Sequence, residues 1–169
     1  MKPEDSDMDS SKRPKAGIFG DHTRETWVWL GNELFDESGE IIADVRSDVL
    51  YVANERLLIE STPGTMRFRC RATTSDGSVF TINQQSFSVA ELVARCGTRR
   101  YELRRVSPWR KERVILNGGV EVARMRPMTS GRVEFHVGTV GGDKLPFVDA
   151  VFLSWGCVLV DSSVRRPRI

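Results

Sequence analysis

Residues Leu145 to Val160 read Leu-Pro-Phe-Val-Asp-Ala-Val-Phe-Leu-Ser-Trp-Gly-Cys-Val-Leu-Val, apolar on nearly every side. Gly141-Gly142-Asp143 precedes the run, and Asp161 with an arginine-rich end follows it. Pro146 suits the first turn of a helix, where its missing N–H has no partner to lose. A helix of this length spans about 24 Å, whereas a membrane span wants about 20 apolar residues for ~30 Å of hydrocarbon. Asp149 inside the run places a carboxylate where a bilayer would penalise it. Transmembrane insertion is therefore disfavoured. A helix apolar all round in a soluble protein must be enclosed by other protein. The rest of the chain has to build something that surrounds it.

What precedes the run is a succession of short strands. The pattern predicts them at Thr26–Leu30, Glu40–Val45, Val49–Ala53, Leu57–Ser61, 65–72, Val79–Ile82, Tyr101–Val106, Val114–Leu116, Val120–Met125 and Arg132–Val140. Turns fall at Asp36-Glu37-Ser38-Gly39, Thr62-Pro63-Gly64, Ser75-Asp76-Gly77 and Asn117-Gly118-Gly119. The alternation is cleanest at 65–72, with Met66, Phe68, Cys70 and Ala72 on one face and Arg67, Arg69 and Arg71 on the other. Ser88–Cys96 suits a short helix or a strand equally. Strands at roughly ten-residue spacing read as an all-β sandwich or barrel. Enclosure of the last helix selects the barrel: a mainly β fold, an antiparallel closed barrel wrapped around a hydrophobic helix at 145–160. The barrel domain is expected over 24–164. Residues 1–23 are polar, so they read as a disordered tail, and 165–169 as a basic end.

This arrangement resembles the tubby C-terminal-like superfamily, which includes LURP-one-related proteins and phospholipid scramblases. The resemblance is carried by the repeated short strands and their turns, by Tyr101-Glu102-Leu103-Arg104-Arg105 running into Trp109-Arg110, and by the terminal helix. It covers residues 26 to about 163. It implies the barrel, and it implies phosphoinositide binding through a Lys-x-Arg pattern, to which Arg67-Phe68-Arg69 is similar with arginine in place of lysine. The calcium site and palmitoylated cysteines of scramblases have no counterpart in these residues.

Cys70, Cys96 and Cys157 are an odd, widely spaced set without a C-x-x-C pair, and His22 and His136 are the only histidines. They argue against a zinc site and for reduced, buried thiols with no disulfide partner. The N-terminus lacks an apolar signal region. The protein is expected to be cytoplasmic, with peripheral membrane association allowed. No metal, cofactor or catalytic residue is assigned. His136, alternating with Val133, Phe135 and Val137, is expected on the face away from the core. Asp149 is expected to need a hydroxyl or arginine partner. Asp143 and Asp161 are placed to close the two helix ends.

Charge is distributed unevenly. Residues 1–60 hold 14 acidic and 7 basic side chains, and 61–169 hold 9 acidic and 18 basic, within an overall charge of +2. Arg67, Arg69 and Arg71 stand about 6.6 Å apart along a strand, a spacing suited to phosphates, and guanidinium forks bind phosphate bidentately. Arg99, Arg100, Arg104, Arg105, Arg110, Lys111 and Arg113 add further charge, and Tyr101 and Trp109 can stack on bases or enter a membrane interface. The candidate ligand-binding set is Arg67, Arg69, Arg71, Arg100, Arg104, Arg105, Trp109 and Arg110. It points to a non-enzymatic module that binds an anionic lipid headgroup or another polyanion. Single-stranded nucleic acid, or an enzyme acting on a small phosphorylated ligand in a barrel pocket, are the alternatives. A solvated face, paired with the acidic first sixty residues, is the structural one.

If the terminal run is the barrel's axis, burying Phe147, Val151, Phe152, Trp155 and Leu159 contributes at most about 7–15 kcal/mol, comparable with a domain's whole stability. Truncation before Lys144, or Phe152→Asp, is expected to leave an insoluble or molten chain, whereas deletion of residues 1–20 leaves a folded one. Circular dichroism with thermal melting checks this. Cooperative melting of the truncated monomer would refute an enclosed helix.

Overall fold

Enclosure of the helix is met, among the described residues, by twelve strands that follow one another around a closed antiparallel barrel. The structure, a computed structural model, describes residues 25–62, 67–138 and 145–161. The strands are β1 (Glu25–Leu30), β2 (Glu33–Phe35), β3 (Ile41–Arg46), β4 (Val49–Val52), β5 (Glu55–Ser61) and β6 (Arg69–Thr73). They continue as β7 (Val79–Gln84), β8 (Glu91–Cys96), β9 (Arg99–Ser107), β10 (Arg110–Asn117), β11 (Val120–Pro127) and β12 (Val133–Val137), followed by helix α1 (Phe147–Asp161). Each strand pairs with its sequence neighbours, and the ring closes where Trp27 of β1 lies opposite Phe135 of β12.

Strand alternation sends one face inward, and α1 fills the space inside. Every residue from Asp149 to Val158 is buried. The helix meets strands on several sides of the ring: Trp155 packs on Trp29 of β1 with ring centroids 4.7 Å apart, and Phe152 packs on Phe80 of β7 at 5.5 Å. Gly156 faces Ile82 of β7, whose Cδ1 would lie 2.1 Å from an added Cβ. Glycine inside a helix ordinarily weakens it; here it lets the helix backbone approach the wall.

The sequence pattern and the structure differ in a few elements. β2 is only three residues long, too short for a periodic signal. Ser88–Cys96, open between helix and strand, holds β8: β7 and β9 both pair with it, and Leu92, Ala94 and Cys96 alternate into the core. The ladder overrides the helical propensity of Ala and Glu. β6 starts at Arg69, later than expected, and Met66 lies outside the described residues. β9 and β10 are longer than their hydrophobic cores suggested, because hairpin pairing extends into the charged flanks. Gly118 and Gly119 both have positive φ, as a two-residue type I′ hairpin requires. The expected tail at 1–23, Asp143, Val140 and the basic end at 165–169 lie outside the described residues.

Gly156→Ala is expected to destabilise by about 1–3 kcal/mol through overpacking, despite alanine's helix propensity. Ile82→Val, which removes Cδ1, costs roughly 0.5–1.5 kcal/mol alone. In the double variant the losses should fall short of their sum, measured by urea denaturation. Additive losses would show that the contact at Gly156 relaxes freely.

Candidate functional site

Most polar groups buried inside the barrel hold the helix, whereas Gln84 bonds to Phe68 and Ser86, and Arg105 Nε is buried without a hydrogen-bond partner among the described residues. Asp149, 1% exposed, accepts from Arg99 Nε at 2.5 Å and Nη2 at 2.9 Å, and from the Tyr101 hydroxyl at 2.6 Å. Both expected kinds of partner are present. Midway along, Ser154 Oγ accepts from Trp29 Nε1 at 2.8 Å and donates to the Val151 carbonyl. At the far end Asp161 accepts from Arg113 through two N–H groups and from Arg105 Nη2 at 2.9 Å. Arg113 is fully buried and also donates to the Val89 carbonyl.

These contacts have electrostatic consequences. Burial pushes the Tyr101 phenol well above its ordinary value, and the Asp149 carboxylate beside it adds to the shift. The Asp149 hydrogen bond holds the Arg99 guanidinium even more firmly protonated than usual. The thiols of Cys70 and Cys157 are pushed up to about 12 by burial, and that of Cys96 is raised as well. All three cysteines are free and buried. His136 lies on the outer wall, with Nδ1 3.1 Å from Thr26 Oγ1 and Nε2 3.2 Å from Glu134. Among the described residues no cluster of His, Cys, Asp and Glu could hold a metal ion.

The candidate arginines divide into three groups. Arg69 and Arg71 project outward from β6, with Asn83 and Thr81 as their register neighbours on β7, and Arg67 is exposed just before the strand. Arg100 and Arg104 flank Glu102 at 3.0 and 2.5 Å and hold its carboxyl below its ordinary value. Arg105 turns inward to Asp161. Arg99 and Arg113, counted with the basic material, also point inward. Strand parity carried that signal: Arg99 and Arg105 share a face with Tyr101 and Leu103, and Arg113 shares one with Ile115. Glu60 of the acidic stretch faces Arg71 across the β5–β6 ladder, while Asp44 of that stretch pairs with Arg46 of its own strand.

Antiparallel order decides what gathers at each mouth. The end of α1 lies at the mouth that carries the β7–β8 loop, the β9–β10 turn and the β11–β12 turn. There Phe87 is fully exposed and Trp109 is 93% exposed, with Met128 nearby on the third turn. Arg110, Lys111, Arg126 and Arg132 line a cleft of about 380 Å³ at this mouth. Among the described residues none of these four makes an ion pair. Phe87, Arg126 and Arg132 were not singled out from sequence, because nothing in their local pattern distinguishes them. The wall over β1–β5 is acidic: 25–62 holds nine carboxylates and two arginines, whereas 67–138 holds fourteen basic residues and six carboxylates.

No family model, curated protein or solved structure matches this chain. Among the described residues no helix is long and apolar enough to cross a membrane.

Arg113→Met leaves Asp161 buried with Arg105 as its remaining cation. It is expected to destabilise the fold by about 3–5 kcal/mol, the usual cost of breaking a buried pair from one side. Arg113→Met with Asp161→Leu should recover part of that loss. Denaturant titration of both variants checks it, and equal losses would deny the coupling.

Proposed function

We propose that this protein is a non-enzymatic binding module that docks on an anionic phospholipid surface through the mouth at the end of α1. The observation that carries the reading is the exposure of Phe87 and Trp109 on loops at the same barrel end as the unpaired Arg110, Lys111, Arg126 and Arg132. Tryptophan favours the headgroup level, where its ring is apolar and its N–H stays wet. Each Lys or Arg near an anionic leaflet contributes about 1 kcal/mol, so four supply about 4 kcal/mol, equivalent to a millimolar Kd. Aromatic insertion strengthens that. Arg67, Arg69 and Arg71 begin at the same mouth and extend the cationic sector, while the acidic sector over β1–β5 disfavours contact through that side of the ring. Arg100 and Arg104, tied to Glu102, add little, and Arg105 none. Kinship with the tubby-like superfamily and a cytoplasmic location belong to this reading. An enzyme working inside the barrel is less favoured, because α1 occupies the interior.

Flotation with phosphatidylcholine vesicles, with and without phosphatidylserine, tests the proposal at low and raised salt. Binding should require the anionic lipid and weaken with salt. Trp27, Trp29 and Trp155 are buried, so a blue shift of tryptophan emission on binding reports Trp109. Trp109→Ala with Phe87→Ser should lower affinity about tenfold or more, the loss of about 1.4 kcal/mol or more. No binding at low salt, together with a salt-sensitive gel shift on a single-stranded oligonucleotide, would replace the lipid by nucleic acid.

A further inference from the structure

We infer that the cleft at this mouth, between β10, β11 and β12, binds a phosphate ester group held by Arg110, Lys111, Arg126 and Arg132. The inference deepens the lipid-surface reading by naming a subsite, and relies on it only for a lipid source of the phosphate.

Charge balance within the cleft is the argument. Two carboxylates, Glu112 and Asp161, stand in its walls. Both already have cationic partners: Glu112 accepts from Arg124 Nη1 at 3.0 Å, a guanidinium it shares with Glu121, and Asp161 is held by Arg113 and Arg105. Glu134 faces Arg126 in the strand register but makes no ion pair with it among the described residues; its carboxylate lies 3.2 Å from His136 Nε2. Four cations thus share one concavity of about 380 Å³, none of them in an ion pair among the described residues. Like charges held together repel, and an anion relieves that repulsion.

The backbone prepares the site. Pairing of β10 with β9 shifts register between Arg110 and Arg113, and irregularities of this kind re-aim side chains at barrel rims. The turn from β11 to β12 brings Arg132 across from Arg110 and Lys111. Three guanidinium forks and an ammonium suit a tetrahedral dianion, which accepts from several directions at once, better than a planar carboxylate. The chemistry expected is a phosphate monoester, on a lipid headgroup or on a soluble molecule.

Inorganic phosphate titrated into the isotopically labelled full chain tests this by NMR. The expected result is saturable shifts at the amides of Arg110, Lys111 and Arg132 and at the Arg126 side chain, absent with sodium chloride at equal ionic strength. Arg126→Gln with Arg132→Gln should weaken phosphate at least tenfold with an unchanged melting temperature. Unsaturable shifts, shifts reproduced by chloride, or an unaffected double variant would overturn the subsite. Two further arms identify the source. Preference for phosphatidic acid over phosphatidylserine vesicles, lost in the double variant, supports a lipid monoester. Saturable binding of glycerol 3-phosphate without that vesicle preference supports a soluble one. Vesicle binding without phosphate shifts overturns the cleft alone, whereas phosphate shifts without any vesicle binding overturn the surface reading and leave the cleft.

Discussion

Two carboxylates at opposite ends of one helix, each gripped by arginine, set how barrel and helix fit together. Asp149 and Asp161 are twelve residues apart, about 18 Å along the helix. Arg99 and Arg105, six residues apart on β9, span about 20 Å along a strand that tilts across the barrel. One strand thus reaches both ends of the helix. Hydrophobic contacts such as Trp29 on Trp155 supply the driving force, but they are compatible with sliding or rotation of the helix. The charged contacts are less tolerant, since a shifted helix would bury a carboxylate without its cation. Asp149 in the first turn also favours the helix dipole, while Asp161 opposes it. Arg113 and Arg105 compensate both that carboxylate and the helix's negative end.

An interior settled in this way leaves interaction to the outside. The tyrosine, arginine and carboxylate inside the barrel resemble an acid–base cluster in composition, yet their hydrogen bonds are spent on one another. The barrel instead converts an uneven charge distribution along the chain into opposite walls, acidic over β1–β5 and basic over β6–β12. Because every connection is antiparallel, alternate loops lie at the same end. Exposed aromatic groups and uncompensated cations from three separate loops meet there.

Much of the architecture was legible in the residues. An apolar run punctuated by Asp149 called for enclosure, and short alternating strands offered a barrel. The outward direction of Arg69 and Arg71 followed from the buried alternation of Cys70 and Ala72. Other features were hidden. β2 has too few residues for a period, and β8 is decided by two neighbouring ladders against an ambiguous local preference. The basic stretch from 99 to 113 read as one patch, although parity with Tyr101, Leu103 and Ile115 marks Arg99, Arg105 and Arg113 as inward. Recognising them as helix clamps required carboxylates some fifty residues away in sequence.

That a polar-punctuated apolar helix had to be surrounded, and which strand residues face inside, followed from the residues alone, because hydrophobic burial and the two-residue period of a strand are local rules. Tertiary structure alone decided which charges remain uncompensated. Ion pairing depends on distances of a few ångströms between residues distant in the chain, so ring closure and helix position had to come first. Only then are Arg99, Arg105 and Arg113 consumed in the core, while Arg110, Lys111, Arg126 and Arg132 converge on one mouth beside Trp109.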